Sequence, residues 1–454
     1  MASNGTSTGD RLVGRFTERA LLKQAETVVM EKSKTSDIFD DEAETLLPRF
    51  KRSGGFIAWM CPSYPFSAML KSDSPRNPII APPPRPPPTP LFAFFPRTAE
   101  IVLGRVLGRG GFCVVNEILN FKLEPNSPFD QHSFDAGGHL LDEEEDEFGE
   151  LRYDGGVLVQ DRKFMSRRCL RQGKHARYAI KTLSDECLDD PERFVGGVID
   201  LAVESRFLAV IKHPNIIKMR GRSDGNPYDR GFFVVLDRLY TTLTLKIASW
   251  KKDTEKTKGL GKIMDMKGKK KHKIWLDRLI VVYDLSTALE YLHKQRVMYR
   301  DLKPDNIGFD EIPKSGKLAN NTYQMSGKTG SLRYMAPEVA KEQPYNETVD
   351  VYSLAVLAWQ IFEMDTPFKG YSIAMHNNLV IEKGGRPKLN PKWGEKLGTW
   401  LKKAWAEKIS DRPSMRECTK ILRDEINLIQ VDSDDLCQID ASSRTAASVS
   451  KGTK

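Results

Sequence analysis

Asp301, Lys303 and Asn306 fall within the run Tyr299-Arg300-Asp301-Leu302-Lys303-Pro304-Asp305-Asn306 and set the chemistry this chain is equipped for. A carboxylate can take a proton from a hydroxyl, an ammonium can balance charge on a phosphate, and an amide oxygen can help hold a divalent cation. A second lysine, Lys181, stands in Tyr178-Ala179-Ile180-Lys181. Lysines on strands usually end on the surface; one that grips phosphates needs a carboxylate on the following helix, and Glu204 is placed to be that group. A third element is Gly108-Arg109-Gly110-Gly111-Phe112-Cys113-Val114-Val115. Glycines there let backbone amides approach phosphates with no Cβ in the way. Taken alone, a glycine turn or a strand lysine is a weak signal.

These groups need a scaffold, and the pattern supplies one. Ile101 to Leu107 and Val114-Val115 read as the two arms of a hairpin around the glycines, and Tyr178 to Leu183 as the next strand. A helix is predicted over roughly 191–211, with Ile199, Val203, Phe207 and Ile211 recurring every four residues as its apolar face. Phe232 to Leu236 reads as a short strand. Helical periodicity returns from Trp275 to His293, with Leu285, Ala288, Leu289 and Leu292 on one stripe, and helices dominate to about 428. Sheet first and helices afterwards, without regular β-α alternation, predicts two unlike lobes.

Together these motifs resemble the eukaryotic protein kinase superfamily. The loop around Asp301 is similar to H-R-D-x-K-x-x-N, with Tyr299 in the histidine's place. The glycine run is similar to G-x-G-x-x-G-x-V, with Cys113 as the third glycine, and Tyr178 to Lys181 to V-A-I-K. Downstream, Met335-Ala336-Pro337-Glu338 resembles A-P-E, Asp350-Val351-Tyr352-Ser353 resembles D-x-x-S, and Asp411-Arg412-Pro413 follows Trp405. The resemblance implies an α+β, bilobal protein kinase-like fold with a small β-rich N-lobe and a larger helical C-lobe. It implies ATP and Mg²⁺ as cofactors and a protein Ser/Thr hydroxyl as acceptor. Lys303, with Gly330-Ser331 before Ala336, favours serine/threonine substrates, and the Trp405 to Arg412-Pro413 ending resembles the tyrosine-kinase-like branch.

Residue by residue, the resemblance implies that Asp301 accepts or orients the substrate hydroxyl proton, Lys303 neutralises the moving phosphoryl and Asn306 binds the metal. Gly108, Gly110, Cys113, Val115, Ala179, Lys181, Glu204, Leu236, Asp237 and Leu239 are the implied ATP-binding set. Within it Val115 covers the adenine, Leu236 is the gatekeeper, and Asp237 and Leu239 offer backbone groups to the adenine edge. Thr329 and Ser331 fall in the activation segment, while Glu338 and Arg412 are expected to form a buried ion pair and Asp350 to serve structure.

One element departs from the family. After Asn306 a D-F-G is expected; Gly316-Lys317-Leu318-Ala319 resembles its lead-in, but Asn320-Asn321-Thr322 follows. Either these replace D-F-G in register, or a segment is deleted after Leu318. The sixteen positions from Asn320 to Ala336 are short for an activation segment, which favours deletion. Both readings remove the carboxylate that bridges Mg²⁺ to the phosphates, and Asn320 would bind a hard cation more weakly. The chain is therefore expected to be a serine/threonine kinase, with an ATP-binding pseudokinase or scaffold as the alternative.

The expected organisation is a disordered Pro-rich extension over 1–98, a kinase domain over 99–430 and a disordered, polar tail over 431–454. The N-lobe is expected at 99–238 with an acidic insertion at about 120–172, and the C-lobe at 239–430 with a Lys-rich insertion at 251–273, expected to be an exposed loop. The extension includes a charged segment, 22–47, read as a short helix. Pro82 to Pro88 favours polyproline II, as an SH3- or WW-type ligand or as a stiff linker. The formal net charge of +9 comes from Lys+Arg 70 against Asp+Glu 61 and is uneven. Ten lysines against three acids fill 251–273, while Asp142 to Glu150 is acidic. Local insertions explain the balance better than nucleic-acid binding, and no aromatics interleave with the lysines to stack on bases. The six cysteines are scattered with no C-x-x-C pair, which argues against a disulfide framework or zinc site and fits a reducing cytoplasmic or nuclear compartment. No stretch approaches the ~20 apolar residues of a membrane span.

Overall fold

The computed structural model describes residues 100–122, 164–171, 175–223, 226–258, 265, 268–312 and 332–429, together with short strands at 58–59, 93–95 and 323–324. Pro82 to Pro88, the 22–47 segment, Glu143 to Glu147, Asn320 to Thr322, Thr329, Ser331 and the tail lie outside the described residues. The chain divides into two compact units, one of 1–212, 216–240 and 310–325, the other of 213–215, 241–309 and 326–454.

The first unit is built on one sheet. Its strands are β1 (Ala93–Phe95), β2 (Ile101–Arg109), β3 (Cys113–Phe121), β4 (Tyr178–Leu183), β5 (Met219–Ser223), β6 (Phe233–Asp237) and, from the returning segment, β9 (Tyr323–Gln324). They lie in the order β9-β2-β3-β4-β6-β5-β1. β2 through β6 pair antiparallel, and the two short outer strands add in parallel. The hairpin closes where the Gly110 amide donates to the Cys113 carbonyl at 2.7 Å.

β4 is central and buried on both faces. Its odd face, with Leu183, meets Val198 and Leu201 of helix α2 (Pro191–Val210), together with Val234 and Leu236. Its even face, Tyr178 and Ile180, meets Ile118, Phe121, Phe233, Met165 and Cys169. Met165 and Cys169 belong to the end of the stretch expected to be a polar insertion. A helical turn at 164–167 and the bridge Leu170↔Ala176 instead close the second face of the sheet, and β3 runs on to Phe121. A sheet with one face left wet would leave Ile118 and Phe233 exposed, so this segment is core rather than loop. Full burial of each such side chain contributes roughly 1.5–3 kcal/mol.

Helix α2 follows a short helix α1 (Asp185–Leu188) and starts at Asp190, whose carboxylate accepts from the Glu192 and Arg193 amides at 3.0 and 3.2 Å, with Pro191 in the first turn. It ends at extended Ile211, ahead of Pro214. Its buried face is Gly197, Val198, Leu201, Ala202, Val203 and Ser205. The expected stripe through Ile199, Phe207 and Ile211 lies beside that face, with Ile199 only partly buried.

The second unit is helical. A two-strand ladder of β7 (Thr241–Thr242) and β8 (Ile307–Phe309) leads into α3 (Leu243–Glu255), α4 (Lys269–Lys294), α5 (Pro337–Ala340) and α6 (Thr348–Glu363), then α7 (Ile373–His376), α8 (Glu395–Ala404) and a last helix, α9, over 415–429. α6 is apolar almost all round and buried along nearly its whole length, with Thr348, Trp359 and Glu363 partly exposed. Leu285, Ala288, Leu289 and Leu292 of α4 are all buried.

The Lys-rich stretch 251–273 is not a loop throughout. Lys251 and Lys252 lie within α3, and Lys269 to Lys273 open α4. Lysine is a good helix former when its stem lies along an exposed face, so charge did not break either helix. Proteases need extended backbone. Among the described lysines of this stretch, trypsin is expected to cut first after Lys256 or Lys258, just beyond α3, and later at those inside the helices; mass spectrometry of early fragments checks this. Among the described residues no helix is long and apolar enough to cross a membrane.

Candidate phosphoryl-transfer site

In the first unit, strand register gathers the expected ATP-side residues. Gly108 pairs with Val115, Val115 with Lys181, and Ala179 with Leu236. Period-two alternation puts Val115, Ala179, Lys181 and Leu236 on one sheet face. Lys181 Nζ lies 2.6 Å from Glu204 Oε2 of α2, and the side chains are only 3% and 8% exposed. A lysine in this setting is fixed in direction by its carboxylate, unlike the usual solvated strand lysine.

Cys113 opens β3. Its side chain is buried with Leu183, Cys187, Val198 and Leu201 under α2, so it is a packing group of the core. Burial pushes its thiol up to about 12, against a smaller opposing effect of Lys181, so the thiol is not an activated nucleophile. Asp237 turns to the other face, where Arg220 grips its carboxylate at 2.8 and 2.9 Å. Leu239 is half-buried against the α2-side core.

Two ion pairs of this unit were not expected from sequence. Arg238 is buried and meets Glu117 Oε2 at 2.7 Å, with its guanidinium 4.9 Å from the Tyr240 ring. Glu117 lies two residues beyond Val115 on the same strand face, and that spacing was the available signal. Arg171, at the end of the acidic stretch, donates to the Asp310 carbonyl at 3.2 Å, and its Nη2 lies 3.6 Å from Oδ2.

In the second unit, Asp301, Lys303 and Asn306 form one buried cluster. Lys303 Nζ lies 3.1 and 2.8 Å from the two Asp301 carboxylate oxygens. Asn306 Nδ2 donates to the Asp301 carbonyl and to Oδ2, both at 2.7 Å. Those bonds leave Asn306 Oδ1 buried with no hydrogen-bond partner among the described residues. A buried amide oxygen without a donor is costly unless something positive meets it. The residue thus fits one neutral ligand to a hard cation such as Mg²⁺, which ordinarily takes few protein oxygens and several from phosphates and water. Among the described residues no group of three or more His, Cys, Asp or Glu could hold a metal.

The loop carrying this cluster is fixed from outside. Asp350 of α6, fully buried, accepts from the Tyr299 amide at 2.8 Å and the Arg300 amide at 2.7 Å, and faces His293 Nε2 at 2.8 Å. Arg300 has a φ of 72°, a left-handed conformation unusual for a side chain of its size. Glu338 and Arg412 meet as a two-bonded pair at 2.5 and 2.8 Å, with Arg412 also over the Tyr352 ring at 5.2 Å.

Residues 165–422 match the protein kinase domain family. The match begins within the expected insertion, at 165, yet the glycine hairpin before it belongs to the same sheet. The chain is similar to serine/threonine/tyrosine-protein kinase HT1 of Arabidopsis thaliana, 32% identical over 32% of this chain and 39% of that protein. Serine/threonine-protein kinases STY17 and STY46 of the same plant are 31% and 27% identical, over 36% and 54% of this chain and 30% and 40% of theirs. The chain thus spans well under half the length of these relatives. It belongs to the protein kinase family, whose members use ATP to phosphorylate proteins, and its two units carry that family's α+β architecture.

Proposed function

We propose that this chain is a serine/threonine protein kinase that moves the ATP γ-phosphate to hydroxyls of protein substrates. The observation that carries the reading is the buried Asp301–Lys303–Asn306 cluster with Asn306 Oδ1 left open. Asp301 would orient the acceptor hydroxyl and take its proton, a role needing a carboxylate held in one geometry. Lys303, already on Asp301, would balance charge on the transferred group. Lys181, aimed by Glu204, would hold the non-transferred phosphates. Asn306 Oδ1 would hold Mg²⁺, which when bound would neutralise phosphate charge.

A second reading, an ATP-binding scaffold, is favoured by the absence of D-F-G after Leu318. The test is transfer of labelled γ-phosphate to Ser/Thr and Tyr peptide pools, beside thermal melting with ATP. Ser/Thr label lost in Asp301→Asn supports the kinase; no label with an ATP-raised melting temperature supports the scaffold; neither response sinks both. Stabilisation reaches about 2.7 kcal/mol at a hundredfold excess over Kd. It is expected to shrink sharply in Lys181→Met, which strips the phosphate ligand while keeping the stem's packing.

The buried Cys113, Cys169, Cys187 and Cys418 support a reducing compartment, cytoplasmic or nuclear. Pro82 to Pro88 would offer a polyproline II ligand to an SH3- or WW-type partner.

A further inference from the structure

Two glycines, Gly196 and Gly197, stand side by side inside α2. Glycine in a helix interior loses the most backbone freedom and packs no side chain, so a pair there weakens the helix. Their neighbours show what the pair makes room for. A Cβ on Gly197 would stand 2.9 Å from Phe112 Cβ and 2.8 Å from Cys187 Sγ, and one on Gly196 would meet Phe112 Cζ at 3.5 Å. The two residues thus form a notch in α2, and Phe112, from the tip of the glycine hairpin, fills it.

Further contacts hold the same tip. Arg193, one turn before Gly197 on α2, donates from Nη2 to the Gly111 carbonyl at 2.7 Å. The Ser184 amide, just past β4, donates to the Phe112 carbonyl at 2.8 Å. The Cys187 thiol donates to the Arg193 carbonyl at 3.1 Å, which ties α1 to the same turn of α2. A Cβ on Gly111 would meet nothing within 4 Å, so packing does not fix the tip at that residue. Phe112 and Arg193 do that work from either side of it.

The same helix carries Glu204, whose carboxylate lies 2.6 Å from Lys181 Nζ. Gly197 and Glu204 are two helical turns apart, so they share one face of α2, about 10 Å from each other along its axis. One face of one helix therefore positions both the lysine and the tip of the glycine hairpin. Neither Phe112 nor Arg193 has to touch a nucleotide for this to matter. Together they narrow the places the tip can occupy before a ligand arrives, and such ordering in advance strengthens binding.

We propose that Phe112 in the Gly196–Gly197 notch, with Arg193 on the Gly111 carbonyl, is a latch that positions the glycine hairpin for the phosphates of ATP. The latch rests on the ATP-binding reading above and makes Phe112 and Arg193 positioning residues. The test is calorimetric titration of the full chain with ATP and, separately, with adenosine, which lacks the phosphates. Phe112→Ala empties the notch and is expected to weaken ATP binding about tenfold, as when only a tenth of the chains hold the tip in place. Arg193→Ala removes one partly exposed hydrogen bond, with an expected loss of about threefold. Gly197→Ala closes the notch while keeping Phe112 and is expected to act in the same direction as Phe112→Ala. Phe112→Leu refills the notch and is expected to recover most of the loss. Adenosine affinity is expected to stay at the parent's value in all four. A loss shared by ATP and adenosine marks a merely structural role and overturns the proposal. Variants that bind ATP like the parent overturn the latch alone, whereas a parent that binds neither ligand sinks the ATP-binding reading and the latch with it. If melting shows Phe112→Ala or Gly197→Ala unfolded, Arg193→Ala, altered outside the core, decides.

Discussion

An Asp-Phe-Gly-containing activation segment inserted after Leu318 is expected to raise Mg²⁺-dependent phosphoryl transfer by at least about a hundredfold. Among the described residues, little else is offered to the cation. Asn306 Oδ1 is one neutral oxygen, and the carboxylates beside it in the same unit are engaged: Asp301 by Lys303, and Asp305 by Thr244 at 3.3 Å. A restored aspartate would add the missing negative ligand without disturbing a core that is already built. In the extended chain, Asp301→Asn is then expected to lower the rate by roughly 10²–10⁴-fold, the contribution of a positioned proton acceptor. Initial rates at saturating ATP, with and without chelator, check both steps. No gain on insertion would leave the chain a nucleotide-binding module. Strong transfer by the unmodified chain, still sensitive to Asp301→Asn, would show that one of the engaged carboxylates releases its partner to take the metal.

The largest effect on stability is expected at Glu338 and Arg412. Their side chains are 5% and 0% exposed and share two hydrogen bonds. Arg412 also donates to the Ala406 carbonyl at 2.9 Å. Glu338→Gln keeps the shape but leaves a guanidinium enclosed without a counter-charge. Breaking one side of a buried pair costs about 3–5 kcal/mol, whereas replacing both with packed apolar groups is often neutral. Urea denaturation should therefore show Glu338→Gln and Arg412→Met each strongly destabilised, and Glu338→Leu/Arg412→Met together less so than the sum. Additive losses would mean the two residues stabilise the fold through separate contacts.

Backbone-dominated elements were the most legible in the sequence. Tyr178–Leu183 and the helix from Pro191 are announced by β-branched alternation, an Asp-Pro start and a His-Pro stop. The Asp301 loop was legible because its chemistry depends on residue types at short spacing. The inward face of α2 was not, because periodicity weights bulky side chains and the contact is made by small ones. A Cβ on Gly197 would sit 2.8 Å from Cys187 Sγ and 2.9 Å from Phe112 Cβ, so close approach, not a row of large apolar groups, defines that face. The Cys113 side chain was not legible for a related reason: its place in a glycine motif draws attention to the backbone, while strand alternation turns the thiol into the core. Met165 and Cys169 were hidden among arginines and serine, and only the uncovered second face of the sheet gives them meaning.

Asp350 gives the loop around Asp301 an owner elsewhere in the chain. The Tyr299 and Arg300 amides face one carboxylate, and the left-handed turn at Arg300, worth about 1–3 kcal/mol of strain, is held by those bonds. The eight-residue run is therefore not a portable cassette. Grafted onto another scaffold without a buried acid at that spot, it would relax and scatter its three working side chains. Within this protein, a lineage drifting away from catalysis could shed Asp301 only together with the buried Lys303 it pairs with, but losing Asp350 would unmake the mould itself.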